Sequence, residues 1–303
     1  MATVRIQLAH PVDLVRTARP LIRGTGDPTS RLDGRSIARA VRTADGPAAV
    51  RVTQTGRRTV EVEAWGPGAD HAARIARGLA GADDDPSAFP ASPPDAAIAR
   101  AWRDHRDVVL TRADPFPVLI AAITEQKVTG TEARRAWRAI VRRTGDPAPG
   151  DLGLLLPPDP ERLASIPTWE LTKVGVTGRR AATLLEAARH PRRIAALTTT
   201  PLDEAKGWLA KLPGVGPWTV AEVSRLAFGD PDAVSVGDFH LPHIVAWNLA
   251  GEPRATDERM LELLEPYRGQ RGRVQVLLEA AGVSAPKYGP RLEPNLSASD
   301  MYK

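Results

Sequence analysis

The chain has no cysteine among its 303 residues. That absence excludes a disulfide scaffold, a cysteine-based zinc finger and a thiolate-held iron–sulfur cluster. No apolar run is long enough to span a bilayer, and the opening Met-Ala-Thr-Val-Arg-Ile-Gln lacks the long apolar core of a secretory signal. A cytoplasmic protein with no membrane partner is expected. Nor is there a large excess of one charge: 41 Lys+Arg stand against 36 Asp+Glu, for a net charge of +5. This balance accommodates a polyanionic partner without demanding one. The abundance of Ala, Arg, Gly and Pro also suggests a GC-rich coding bias, which inflates arginine, so composition carries little weight. There is no internal repeat.

The length suffices for two domains with separate cores. In the first ninety residues Val4–Leu8, Ala49–Thr53 and Thr59–Ala64 alternate like strands, with a hairpin turn expected at Gln54-Thr-Gly-Arg57. Val12–Ile22 and His71–Leu79 have helical spacing. The expected unit over 1–92 is therefore α+β, an antiparallel sheet with helices. Asp83–Asp95 is polar and proline-rich and reads as the domain connector. From there to 284 the pattern is helical, punctuated by Pro and Gly, giving an all-α second domain over 93–284 and a mostly α protein overall. Residues 285–303 read as an irregular tail.

Two motifs carry chemistry. Leu212-Pro-Gly-Val-Gly-Pro-Trp-Thr219 reads as a tight hairpin between two helices, with Gly214 and Gly216 free to take positive φ. The amides opening the second helix form an anion site. Downstream, Val236-Gly-Asp-Phe-His-Leu241 puts one carboxylate, Asp238, at the mouth of another apolar helix. Each motif has a plainer reading. A Gly-x-Gly turn can simply end a helix, and Asp238 is a good N-cap. A phosphate cradle followed by a lone carboxylate nonetheless points to an enzyme acting on nucleic acid. His240 and His243 have helical spacing with Asp238, but without cysteine or further acids they read as structural rather than metal ligands. Arg134, Arg135, Arg138, Arg142 and Arg143 read as a solvated basic face.

The hairpin followed by Gly237-Asp238 resembles the helix-hairpin-helix DNA glycosylases, and within them the bacterial DNA-3-methyladenine glycosylase II family. Asp114–Val128, Gly175–Ala181 and Leu264–Val274 extend the likeness to entry helices, a pre-hairpin turn and a closing helix. The first ninety residues resemble the family's N-terminal domain more weakly. The resemblance implies double-stranded DNA as partner. Gly214, Gly216 and Thr219 would hold a phosphate through their amides, and the carbonyls of Ala210, Leu212 and Val215 a structural monovalent or divalent cation. No cofactor is implied as required, and no protein partner is inferable. Asp238 would be the catalytic carboxylate, stabilising the positive charge that builds on the deoxyribose. Gln126 and Lys127 would form the segment that enters the DNA, and Arg268, Arg271 and Arg273 would contact DNA from the closing helix.

Bifunctional relatives have a lysine two residues past the second hairpin glycine; here Trp218 stands there, implying hydrolysis without strand cleavage. The expected pocket is Trp218, Phe239 and Glu222, with fewer aromatics than the family pattern. Glu222 replaces a position that is often aromatic, and Lys127 replaces the usual Leu or Gln. The implied function is a monofunctional glycosylase excising alkylated purines of the 3-methyladenine type in base excision repair. The alternatives are a glycosylase for an oxidised or deaminated base, or a non-catalytic damage-binding protein.

Overall fold

The computed structural model describes residues 2–284. The expected tail at 285–303 lies outside the described residues. Five strands form one antiparallel sheet in the order β1-β5-β4-β3-β2: β1 (Ala2–Gln7), β2 (Ser30–Asp33), β3 (Ser36–Thr43), β4 (Gly46–Gly56) and β5 (Thr59–Trp65). In β5 the buried Val60, Val62 and Ala64 alternate with more accessible Thr59, Glu61 and Glu63. The register stacks Val62 against Val4 on one side and Val52 on the other. β2 and β3 were not evident in the sequence. β3, paired on both sides, is buried at five successive positions, 37–41, so it shows no alternation to read. The expected hairpin turn is shifted to Arg57-Arg58, because the register slips between Gln54 and Gly56 and Gly56 still pairs with Thr59.

α1 (Leu14–Ala18) is short, ending in a 3-10 turn at Pro20, and α2 (Ala69–Leu79) packs its Ala72, Ala73 and Ala76 on the sheet. The helical part comprises α3 (Ala96–His105), α4 (Pro115–Glu125), α5 (Gly130–Thr144), α6 (Pro160–Ser165), α7 (Thr168–Lys173), α8 (Gly178–Ala188), α9 (Pro191–Ala196), α10 (Leu202–Leu209), α11 (Pro217–Val223), α12 (Leu241–Ala250), α13 (Asp257–Leu264) and α14 (Arg271–Ala281). α4 is apolar on all sides, as a central helix must be. α5 is amphipathic and opens with a capping box between Thr129 and Glu132. α11 continues into a π-helical turn, Ser224–Phe228, closed by left-handed Gly229.

One buried cluster runs without a break from sheet and α2 residues such as Val50, Val62 and Ala76 into Leu119, Ile123, Trp137, Leu184 and Val223 of the helices. A second cluster joins Phe89 and Ile98 to Val245, Met260, Tyr267 and Leu277. Thus α3, though it precedes α4 in the chain, packs with α12 and α14. The proline-rich connector is pinned rather than free. Asp84 takes both Nη atoms of buried Arg273 and the Leu110 amide, and Asp95 accepts from the Tyr267 hydroxyl. Phe89 stacks on Tyr267 with centroids 6.0 Å apart.

Candidate active site

α10 ends at Ala210, and the chain turns through Leu212–Gly216 into α11. Gly214 takes φ +84, and a Cβ there would lie 1.9 Å from Thr183 Oγ1, so both conformation and the approach of α8 require glycine. Gly216 departs from the expectation: its φ is −99 and ψ −178, an extended N-cap that any residue could adopt. Pro217 then occupies the first helical position, where a missing N–H is harmless.

Asp238 follows Gly237, at φ +93, whose amide donates to Asp257. Asp238 Oδ1 accepts the amides of His240 (2.7 Å) and Leu241 (2.9 Å), capping the turn that opens α12. Its Oδ2 accepts Trp218 Nε1–H at 3.2 Å. The carboxylate is therefore both a cap and the far end of a bridge from the hairpin helix. Because Trp218 packs against the first buried cluster and Asp238 opens a helix of the second, that bond spans the seam between them.

Trp218 also walls a cavity of about 240 Å³, lined further by Ile22, Arg23, Gly24, Glu125, Val128, Gly130, Ala133 and Arg134. Phe239 and Glu222, expected in the pocket, do not line it. Phe239 is 67% exposed and lies edge-on to the rings of His240 and His243. Glu222 is buried; it takes Arg225 Nη2 on both oxygens and the Ser235 hydroxyl on Oε1. Burial acts against the Arg225 charge, but Glu222 and Glu279 outweigh it and hold its pKa above the ordinary value. One turn beyond Trp218 on α11, Glu222 lies deeper, inside the core.

Glu125 supplies the cavity carboxylate instead. It ends α4 and pairs with Arg23 Nη1 at 3.0 Å, across 102 residues of sequence. Burial raises its pKa; Arg23 opposes that shift and Glu222 adds to it. Arg134, from the basic run, lays its side chain against Gly24 and Gly130 at the cavity wall. Nothing in the local spacing of Arg23, Glu125 or Arg134 announces a shared wall.

The DNA-facing candidates separate into two sets. Gln126 is engaged by the protein: its amide nitrogen donates to the Gly214 carbonyl (3.0 Å) and to Thr219 Oγ1 (2.9 Å), bracing the hairpin. The Thr219 side chain is buried, leaving its first-turn amide as its contribution. Lys127, by contrast, is exposed at φ +52, a left-handed conformation that no other non-glycine residue adopts among the described residues. Such a backbone costs about 1–2 kcal/mol and is held by its surroundings. Arg268 is exposed and paired with Glu265. Arg271 and Arg273 are corrected to structural roles, tied to Asp232 and Asp84 respectively. Ala210 caps the C-terminal end of α10, and the Leu212 carbonyl accepts the Val215 amide at 3.0 Å.

Among the described residues no helix is long and apolar enough to cross a membrane, and no group of three or more His, Cys, Asp or Glu could hold a metal. Comparison with known proteins gives several likenesses. A thymine-DNA glycosylase of Aeropyrum pernix is 31% identical over 124 residues, 40% of this chain and 48% of that protein, so the match spans about half of the relative's length. A 3-methyladenine DNA-glycosylase from Archaeoglobus fulgidus shares the fold with a TM-score of 0.76 at 19% identity, over 91% of this chain and 96% of that one. The structure of MBOgg1 in complex with a low-affinity DNA ligand matches with a TM-score of 0.70 at 17% identity, over 93% and 97%. Residues 120–268, which contain Lys127, the hairpin, Trp218 and Asp238, match the model of the HhH-GPD superfamily base excision DNA repair proteins.

Proposed function

We infer that the chain is a monofunctional DNA glycosylase of base excision repair, which flips a damaged purine out of duplex DNA and hydrolyses its N-glycosidic bond. The observation that carries this reading is the Trp218–Asp238 bond at the cavity wall. It ties the carboxylate to the indole that walls a base-sized space, so that an extruded nucleotide stacked on Trp218 would bring its sugar toward Asp238. As the bond to the base breaks, positive charge grows on the deoxyribose, and Asp238 stabilises it and orients the attacking water. Two amides and an indole N–H hold the carboxylate in place. The amides around Gly214, Gly216 and Thr219 hold one phosphate and set register without reading sequence. Lys127, at the tip of the strained turn, enters the stack where the base has left, with its aliphatic stem as filler.

Carbonyls at the C-terminal end of α10 suit a cation, which a helix terminus favours. Ala210, Leu212 and Val215 would hold it, and it would bridge the hairpin to the phosphate. Arg268 would add a rim contact to DNA.

Alkylated purines of the 3-methyladenine type are the proposed substrates, because a weakened glycosidic bond needs no proton donor on the base. A second reading, a neutral oxidised or deaminated base, is favoured by the cavity wall itself, which has one aromatic and an ion pair rather than an aromatic clamp. Incubation with duplexes carrying single lesions tests both. The expected product is an intact strand with an abasic site, cut only on alkali treatment. A covalent adduct trapped with borohydride would overturn the monofunctional assignment.

A further inference from the structure

The cavity beside Trp218 contains a polar pair to which the Asp238 chemistry assigns no task. Arg23 Nη1 donates to Glu125 Oε1, and the two side chains are only 10% and 27% exposed. Glu125 Oε2 accepts no hydrogen bond from the described residues, and the Arg23 side chain makes none beyond this pair. The remaining wall includes apolar Ile22, Val128, Ala133 and the indole of Trp218. The charges of the pair cancel, so an occupant meets direction rather than net charge: an unshared carboxylate oxygen beside unshared N–H donors. At about 240 Å³ the space is below the roughly 300–1,000 Å³ of drug-sized ligand pockets, and it suits a single planar ring system.

We propose that Glu125, positioned by Arg23, is a specificity-determining residue that accepts a hydrogen bond from an N–H on the flipped base, while Arg23 donates to the acceptor beside it. The proposal rests on the glycosylase reading and narrows its substrate to bases with a donor next to an acceptor on one edge, such as N1–H beside O6 of a guanine derivative. A carboxylate acceptor makes a hydrogen bond roughly twice as strong as a neutral one. A site built around such a bond rejects an analogue lacking the N–H, because an occupant that shields the carboxylate oxygen from water without donating to it leaves it unpaired.

The test is calorimetric titration of the full chain with 7-methylguanine, which has N1–H beside O6, and with 1,7-dimethylguanine, in which a methyl replaces that hydrogen. Wild type should prefer 7-methylguanine by at least roughly tenfold, equivalent to about 1.4 kcal/mol. Glu125→Ala should reduce the preference to within about twofold, and Glu125→Gln, which keeps an acceptor but no charge, should fall between. Both variants should bind an abasic duplex as wild type does, since the hairpin makes that contact. The inference is overturned if wild type shows no preference or binds neither base, or if Glu125→Ala keeps the wild-type preference. Should Glu125→Ala not fold, an undiminished preference in Glu125→Gln overturns it equally. Failure to release any base from lesion duplexes would instead count against the glycosylase reading, which base titration does not touch.

Discussion

Two glutamates, Glu125 and Glu222, sit on neighbouring helices close enough to influence each other's charge, yet their surroundings differ. Glu222 lies between α11 and α14 with Arg225, Ser235, Gln275 and Glu279 in one hydrogen-bonded group. Glu125 lies at the end of α4, with a single arginine on one oxygen and a cavity in front of the other. The first region is closed and the second is open. A carboxylate whose partners surround it fastens elements together, whereas one with an unshared oxygen on an apolar wall is available to an occupant. Asp238 stands between the two: cap bonds fix one oxygen, and the other is tied to Trp218, which walls the cavity.

The largest effect is expected at Asp238. Asparagine there has one acceptor oxygen, so it can cap α12 or accept from Trp218 but not both. Asp238→Asn should slow base release by at least about 10²-fold in single-turnover assays, with lesion-duplex affinity within a few fold. Near-normal release would leave Asp238 a cap only and remove the basis for the proposed function.

Next in size is the contrast between the two arginines. Arg225→Ala strands the buried Glu222 and should cost about 3–5 kcal/mol of unfolding free energy. Arg23→Ala leaves Glu125 at a cavity that water can enter and should cost about 1–3 kcal/mol. Equal losses in denaturant titrations would erase the distinction between a closed and an open region.

A smaller effect is expected at Asp114, which caps α4 through the Phe116 amide. Burial pushes its carboxyl up to about 6, against the opposing pull of that amide and of Arg39. A raised carboxyl pKa means that the folded state holds the proton longer than the unfolded one. Stability from this group therefore falls as pH rises from about 4 to about 6, and the loss is complete above that. Asp114→Asn keeps the cap, removes this slope and should stabilise the protein at pH 7 by on the order of 2 kcal/mol. A variant no more stable than wild type at pH 7 would show that the carboxyl is not desolvated.

Local chemistry made part of this molecule legible in its sequence. The hairpin was readable because only glycine tolerates the turn at Gly214, and Asp238 because a small acid before an apolar helix has a defined capping geometry. Strands β4 and β5 and most helix starts were readable from alternation, prolines and caps. These features depend on residues within a few positions of one another. The rest depends on contacts across the chain. Glycine at 216 looked equivalent to Gly214, but the path of the backbone gave it an extended conformation. Gln126 looked like a DNA contact until the α4–α5 turn was brought against the hairpin. Arg273 looked like a phosphate ligand until the connector was brought back to place Asp84 on its guanidinium. The cavity belongs wholly to this second class. Its arginine and its glutamate lie 102 residues apart and meet only because one continuous core joins the sheet to the central helices. Sequence by itself determined the backbone turns and the carboxylate at Asp238, since those follow from the allowed dihedrals and bonds of adjacent residues. Which glutamate faces the cavity was decided by tertiary structure alone, because burial and pairing are properties of what packs around a side chain.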